Sequence, residues 1–324
     1  VDTVASGSLE RLLEAWLARA GRTGWALEPL PGDLSARRYF RVRAPTGESH
    51  VAACYPAELR ESQRRFVLAA GLLVRASVRV PAIELDDPTA GFALLEDVGE
   101  RTLYEHAELG AAARERFLEA ALESARRIAA LAPAEVVALG SPPLDRALLS
   151  RELEPAIRFF LAPRGLAPEG FVAALDELCS RLAEDPPVPC HRDFMVRNLV
   201  PVGASAVVVL DFQDLRLGPP AYDLASLLND SWFASDHLER KLVDRYLPAG
   251  LSRDQYRRAV VQRALKAVGT FSACAARGDR RRVPLIGPTF ERARRYLPEL
   301  PETSEWSREL GPRLAASVAP STIC

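Results

Sequence analysis

The chain has 324 residues, 48% hydrophobic and 26% charged, with 42 Lys and Arg against 43 Asp and Glu for a formal net charge of −1. That balance leaves no basic footprint for nucleic acid or an anionic membrane, and no apolar run reaches the roughly 20 residues that span a bilayer. The five cysteines (Cys54, Cys179, Cys190, Cys274 and Cys324) are scattered without a CxxC pair, which disfavours structural zinc and a disulfide framework. The beginning of the sequence lacks the basic and apolar regions of a secretory signal, so a cytoplasmic protein is expected.

Residues 8–20 place Leu9, Leu12, Leu13, Trp16 and Leu17 on one helical face, with Ser8 as the candidate N-cap. Strands come next at 25–30, 38–43 and 50–55, separated by turns at Pro31-Gly32-Asp33 and Pro45–Gly47. Connections this short require antiparallel pairing. A helix over 57–75 is expected after them, then strands at 80–85 and 91–95 around an Asp-Asp-Pro turn. From Leu103 onward the periodicity is helical, over 109–131, 145–161 and 168–184, and again over 222–229, 236–246, 253–274 and 289–296. Residues 298–324 read as a short helix and a loose tail. The change of pattern predicts an α+β chain with a β-rich lobe at 1–97 and a helical lobe at 98–324.

Residues 188–214, VPCHRDFMVRNLVPVGASAVVVLDFQD, interrupt the helices as a strand, a polar loop, an apolar strand and an acidic turn. Asp193 and Asn198 stand five apart in the loop, and Asp211 ends the apolar run. This spacing suits phosphoryl transfer, in which one Asp orients the attacking hydroxyl while an Asn and a second Asp hold Mg²⁺. Hard oxygen ligands completed by water are what Mg²⁺ accepts. On this reading Asp193 is catalytic, Asn198 and Asp211 are metal ligands, and His191 and Arg192 brace the loop. Asp223 stands just before a helix, where a carboxylate favours exposed N–H groups and the positive end of the dipole; it is read as structural support for the loop, with direct catalysis as the alternative. Asp214 has two readings, a substrate contact or an exposed turn acid.

The segments LSARRYFRV at 34–42, LLEDVGERTLYE at 94–105, CHRDFMVRNLV at 190–200, LDFQDLRLGPPAYDLASLL at 210–228 and RALKAVGTF at 263–271 resemble the aminoglycoside phosphotransferase and choline-kinase superfamily. Within it they look most like the bacterial anomeric N-acetylmuramate/N-acetylglucosamine kinases of cell-wall recycling. The resemblance implies a bilobal protein-kinase-like fold, with a small antiparallel-sheet lobe, a larger helical lobe and nucleotide in the cleft. It also implies ATP and Mg²⁺ as cofactors and an amino-sugar hydroxyl as acceptor. Acceptors of the aminoglycoside, choline or other alcohol type stay open, as does a binding protein that keeps the fold without turnover. Glu96 and Val98 would offer backbone groups to the base, residues 32–37 would cover the phosphates, and Ala52 would line the adenine pocket.

Protein kinases hold the phosphates with a lysine on the third strand. Here that strand reads Val51-Ala52-Ala53-Cys54, and Lys241 and Lys266 are the only lysines in the chain. An arginine from Arg37, Arg38, Arg41 or Arg43 can substitute, since guanidinium binds phosphate well, with a solvated strand edge as the alternative for each; Arg38 is the one assigned to the nucleotide site. Glu58 or Glu61 would anchor it. In the helical lobe Lys266 and Arg197 are candidate substrate contacts, each with a surface or structural role as its alternative.

Overall fold

The computed structural model describes residues 3–30, 36–232 and 234–316. The turn expected at 31–33, most of the phosphate-covering segment 32–37 and the tail from 317 onward lie outside the described residues. The chain divides into two compact units. One comprises the residues through Glu100 together with Val208–Gln213, and the other Arg101–Val207 with the residues from Asp214 onward.

The first unit contains α1 (Thr3–Arg19), β1 (Ala26–Pro29), β2 (Arg38–Arg43), β3 (Ser49–Cys54), α2 (Arg60–Arg75), β4 (Ile83–Asp87) and β5 (Phe92–Glu96). The strands form one antiparallel sheet in the order β1-β2-β3-β5-β4. Alternation of side chains sorts it into two faces. Phe40, Val42, Ala52, Cys54, Phe92 and Leu94 pack against Leu13, Trp16 and Leu17 of α1. Trp16 Nε1 also donates to Asp87 Oδ2 at 3.0 Å, tying α1 to β4. Because α1 begins at Thr3, Ser8 lies inside the helix and is not its cap. Helix α2 buries Phe66, Ala69, Ala70 and Leu73. Phe66 stacks on Phe212 with centroids 4.7 Å apart, and Val209 N donates to Arg79 O at 2.8 Å. These two contacts explain why 208–213 belongs with this unit.

The second unit is built on helices α3 (Ala111–Ala129), α4 (Pro133–Val137), α5 (Arg146–Ala156), α6 (Glu169–Leu182), α7 (Tyr222–Leu228), α8 (Asp236–Tyr246), α9 (Arg253–Ala276), α10 (Val283–Tyr296), α11 (Ser304–Glu309) and α12 (Gly311–Ala316). Strand β6 (Val188–Cys190) pairs antiparallel with β9 (Arg216–Gly218), placing Cys190 opposite Arg216. Strands β7 (Leu199–Val202) and β8 (Ala206–Val209) lead from the polar loop to Asp211. Helix α9 is buried around most of its circumference, from Tyr256 through Val260, Ala264 and Val268, as a central rather than a surface helix should be. Helix α10 starts at Val283, earlier than the 289 expected. Pro284 occupies its first turn, where a missing N–H costs nothing, and Pro288 is accommodated inside it.

Helices α5 and α9 cross closely at Gly269, where a Cβ would lie 2.4 Å from Ala156 N and 2.9 Å from Pro155 C. Backbone cannot yield as a flexible side chain does. Gly269→Ala is therefore expected to lower the unfolding free energy by about 1–3 kcal/mol, despite alanine's higher helix propensity. Denaturant titration measures this, and a variant as stable as the parent would refute the close crossing.

Candidate active site

The polar loop after β6 is held from below by one buried carboxylate. Asp223, in the first turn of α7, accepts His191 N at 2.7 Å through Oδ2 and Arg192 N at 3.0 Å through Oδ1. Burial pushes its carboxyl up, against the opposing pull of His191 and these two N–H groups. Arg192 adopts a φ of 75°, in the left-handed region, a conformation that needs such external support. Asn198 closes the loop by donating Nδ2 to the backbone oxygen of Asp193 at 2.8 Å. Asp230 caps the far side, accepting Val196 N at 3.0 Å.

This loop presents Asp193 to three cations. Arg263 Nη2 lies 3.0 Å and Lys266 Nζ 3.3 Å from its Oδ1, and Arg192 Nη1 lies 3.9 Å from Oδ2. Burial opposes ionisation of Asp193, but Lys266, Arg263 and Arg192 outweigh it and hold the carboxyl well below the ordinary range. Lys266 also sits 3.3 Å from Glu152 Oε1, the oxygen that accepts Arg192 Nη2 at 2.6 Å. Burial and the neighbouring Arg263 bring the Lys266 ammonium down to about 8. Arg263 is fixed in turn by its Nε–H, which donates to Ser226 Oγ at 2.9 Å. Asp214 receives Arg192 Nη1 at 3.4 Å and Arg216 Nη2 at 3.2 Å.

The second unit thus gathers Asp193, Lys266 and Asp214 into one ion network through Arg192. Arg197 is placed elsewhere, over the Tyr104 ring at 3.4 Å from its centroid and 3.3 Å from Ser231 Oγ. Glu152 belongs to the network yet escaped the sequence reading. It lies in an ordinary amphipathic helix, and its partner Arg192 is 40 residues away, so no local motif marks it.

In the first unit Asp211 also adopts a left-handed φ, of 60°. Its Oδ1 accepts Arg37 Nη2 at 3.1 Å and Gln213 Nε2 at 2.7 Å. Of the four arginines considered for the phosphates, Arg41 is buried on Asp97, with Nε 2.7 Å from Oδ2, and on Glu100. Arg43 pairs with Glu28 and Glu100. Arg38, the residue assigned from sequence, is exposed and stands opposite Cys54 in the sheet. Arg37 is the one placed at Asp211. Its guanidinium lies 5.9 Å from the ring centroid of Tyr39, and Tyr39 pairs across the sheet with Ala53. Ala52 packs under α1 with Cys54, so the β3 alanine on the Asp211 side is Ala53 rather than Ala52. Glu58 is exposed and Glu61 pairs with Arg64 at 3.2 Å, so the carboxylate at Arg37 is Asp211. Glu96 is held through its side chain by Arg79 and by Ala82 N at 3.0 Å, and Val98 is half-buried.

Among the described residues no group of three or more His, Cys, Asp or Glu side chains could hold a metal. The side-chain oxygens of Asp211, in the first unit, and of Asn198, in the second, are each hard donors of the kind Mg²⁺ takes. That donor chemistry fits the ion.

A family profile described as the phosphotransferase enzyme family matches residues 26–260, and the chain belongs to that family: it is an enzyme that phosphorylates an alcohol. Among curated proteins it is similar to the N-acetylmuramate/N-acetylglucosamine kinase of Pseudomonas aeruginosa, 33% identical over 302 residues covering 86% of this chain and 87% of that one. The protein of the same name from Neisseria meningitidis serogroup B is 29% identical over 318 residues, covering 87% and 85%. Solved structures of like fold include choline kinase LicA from Streptococcus pneumoniae, with a TM-score of 0.62 at 15% identity, covering 95% of this chain and 99% of that one. ADP-bound aminoglycoside phosphotransferase APH(2'')-Ib has a TM-score of 0.61 at 17% identity, covering 91% and 98%. The α+β, protein-kinase-like class expected from the sequence is therefore the observed one. No helix of the described residues is long and apolar enough to cross a membrane.

Asp193 carries a depressed carboxyl, so its contribution to folding is present above the ordinary carboxylate range and is lost as pH falls through the folded value. Lys266→Met removes the cation that most favours its ionised form. The acid limb of the kcat/KM profile is then expected to move to higher pH by about one unit or more. An unmoved limb would show that Lys266 does not set the charge state of Asp193.

Proposed function

We propose that the chain transfers the γ-phosphoryl group of ATP, with Mg²⁺, to an amino-sugar hydroxyl of the N-acetylmuramate or N-acetylglucosamine type, at the anomeric position. The nucleotide is assigned to the first unit and the acceptor to the second. What carries the reading is Asp193, kept ionised by Lys266, Arg263 and Arg192 on a loop fastened by Asn198 and Asp223, in a chain 33% identical to an enzyme of that name.

Asp193 accepts a hydrogen bond from the acceptor hydroxyl and aims its oxygen at the γ-phosphorus. The new O–P bond forms as the bond from phosphorus to the bridging oxygen of ADP breaks, and the hydroxyl proton passes to Asp193 and then to water. Mg²⁺, when bound, neutralises charge on the phosphate oxygens. Asn198 and Asp211 are the side chains assigned to it. Ala53 on β3 is assigned to the base, with the backbone of Glu96 and Val98.

The ion network also bears on the acceptor's charge. Asp193 is matched by Lys266 and Arg263, Glu152 by Arg192 and Lys266, and Asp214 by Arg192 and Arg216. With each carboxylate already compensated, a polycationic aminoglycoside finds no surplus acid here, whereas a neutral or anionic sugar meets no penalty.

Purified protein with Mg²⁺-ATP is expected to phosphorylate N-acetylmuramate or N-acetylglucosamine, giving an anomeric phosphate by ³¹P NMR. Asp193→Asn is expected to lower kcat by roughly 10²–10⁴ while nucleotide still binds. Turnover on choline or an aminoglycoside but on no amino sugar would overturn the acceptor assignment. Nucleotide binding without transfer to any alcohol would overturn catalysis by this route.

A further inference from the structure

A nucleoside polyphosphate brings several negative charges, yet the first unit holds a carboxylate where its metal should sit and contains no lysine. The candidates read from the sequence for a cation at the phosphates are Arg37, Arg38, Arg41 and Arg43. Arg41 and Arg43 are committed to the acids Asp97, Glu100 and Glu28, and Arg38 stands opposite Cys54, on the face covered by α1. Arg37 differs from all three. Its side chain is only 12% exposed, against 42% for the Asp211 carboxylate it touches at 3.1 Å, and the Tyr39 ring lies beside its guanidinium. The planar fork of a guanidinium matches two phosphate oxygens at once.

We propose that Arg37 is the phosphate-holding cation of this chain and that its ion pair with Asp211 is the nucleotide-free arrangement of an exchangeable contact. Without nucleotide each charge neutralises the other. With a metal-bound polyphosphate in place, Asp211 would take the metal as its counter-charge and the Arg37 guanidinium would be released to the phosphates. Gln213, whose amide bonds the same Oδ1 at 2.7 Å, keeps the carboxylate oriented through the exchange. The contact also explains how a chain dispenses with a third-strand lysine: the cation comes from the residue preceding β2, and its carboxylate partner is Asp211 rather than a glutamate of α2.

The inference rests on the nucleotide assignment made above, and it is tested without acceptor or turnover. Calorimetric titrations of Mg²⁺-ATP, Mg²⁺-ADP and adenosine into the parent, Arg37→Met and Arg37→Lys proteins are compared, with thermal melts of each. Arg37→Met is expected to bind ATP and ADP roughly tenfold to hundredfold more weakly while binding adenosine unchanged. Arg37→Lys, which keeps the charge but not the fork, is expected to recover part of that loss. Should Arg37→Met fail to fold, Arg37→Lys carries the comparison, weaker than the parent on ATP and equal to it on adenosine. ATP affinity within about twofold of the parent in the folded variants, or an equal loss on adenosine, would overturn the role of Arg37 alone. A parent protein that binds no Mg²⁺-ATP would overturn the nucleotide assignment itself.

Discussion

The arrangement of the second unit depends on the buried carboxylate of Asp223. A carboxylate taken out of water must find donors, and two unpaired backbone N–H groups in a tight loop must find acceptors. Each satisfies the other where His191 and Arg192 meet α7. The left-handed backbone at Arg192 costs on the order of 1–2 kcal/mol for a non-glycine residue, less than the roughly 3–6 kcal/mol that two hydrogen bonds to a charged group return. That turn carries Asp193 to Arg263 and Lys266 and sends the Arg192 side chain to Glu152 and Asp214. Remove the carboxylate and the loop loses the reason for its shape.

Arginine and lysine divide the work of the ion network in ways their shapes require. Arg192 spans Glu152 and Asp214, and Arg263 joins Ser226 to Asp193; a planar fork with several fixed donors can bridge in this manner. Lys266 stands between Glu152 and Asp193 at 3.3 Å from each, where a compact point charge is shared rather than directed. Of the 42 basic residues only two are lysines, and Lys266 is the one placed in this network. Lys241 pairs with Glu115 at the surface, where either cation would serve.

Much of this was readable from local pattern. Strand β2 and helix α8 fall on the residues whose alternation and 3.6-residue period predicted them, and the five-residue step from Asp193 to Asn198 is a property of the loop itself. What escaped is whatever depends on a partner distant in sequence. Glu152 has an unremarkable helical neighbourhood and acquires its meaning from Arg192 and Lys266. The choices between Arg37 and Arg38, and between Ala52 and Ala53, are one-residue questions. In a strand one residue reverses the face, and it takes the pairing of Tyr39 with Ala53 and the packing of Ala52 under α1 to show which face each alanine occupies. Helix α10 begins at Val283 rather than at 289, with Pro284 in its first turn, where proline is tolerated, and Pro288 inside it.

Asp211 shows why chemistry and packing cannot be separated in the first unit. Its left-handed backbone is held by the next residue: Phe212 is fully buried and stacks on Phe66 of α2, burial worth about 2–3 kcal/mol. Gln213 then returns its amide to the Asp211 carboxylate. A glycine in place of Gln213 would relieve backbone constraint but remove that donor, leaving the carboxylate oriented by Arg37 alone. With glutamine present, Arg37 can change partners without Asp211 losing its direction. The aromatic contact fixes where the carboxylate stands and the amide helps fix where it points, so the direction of Asp211 does not rest on Arg37 alone.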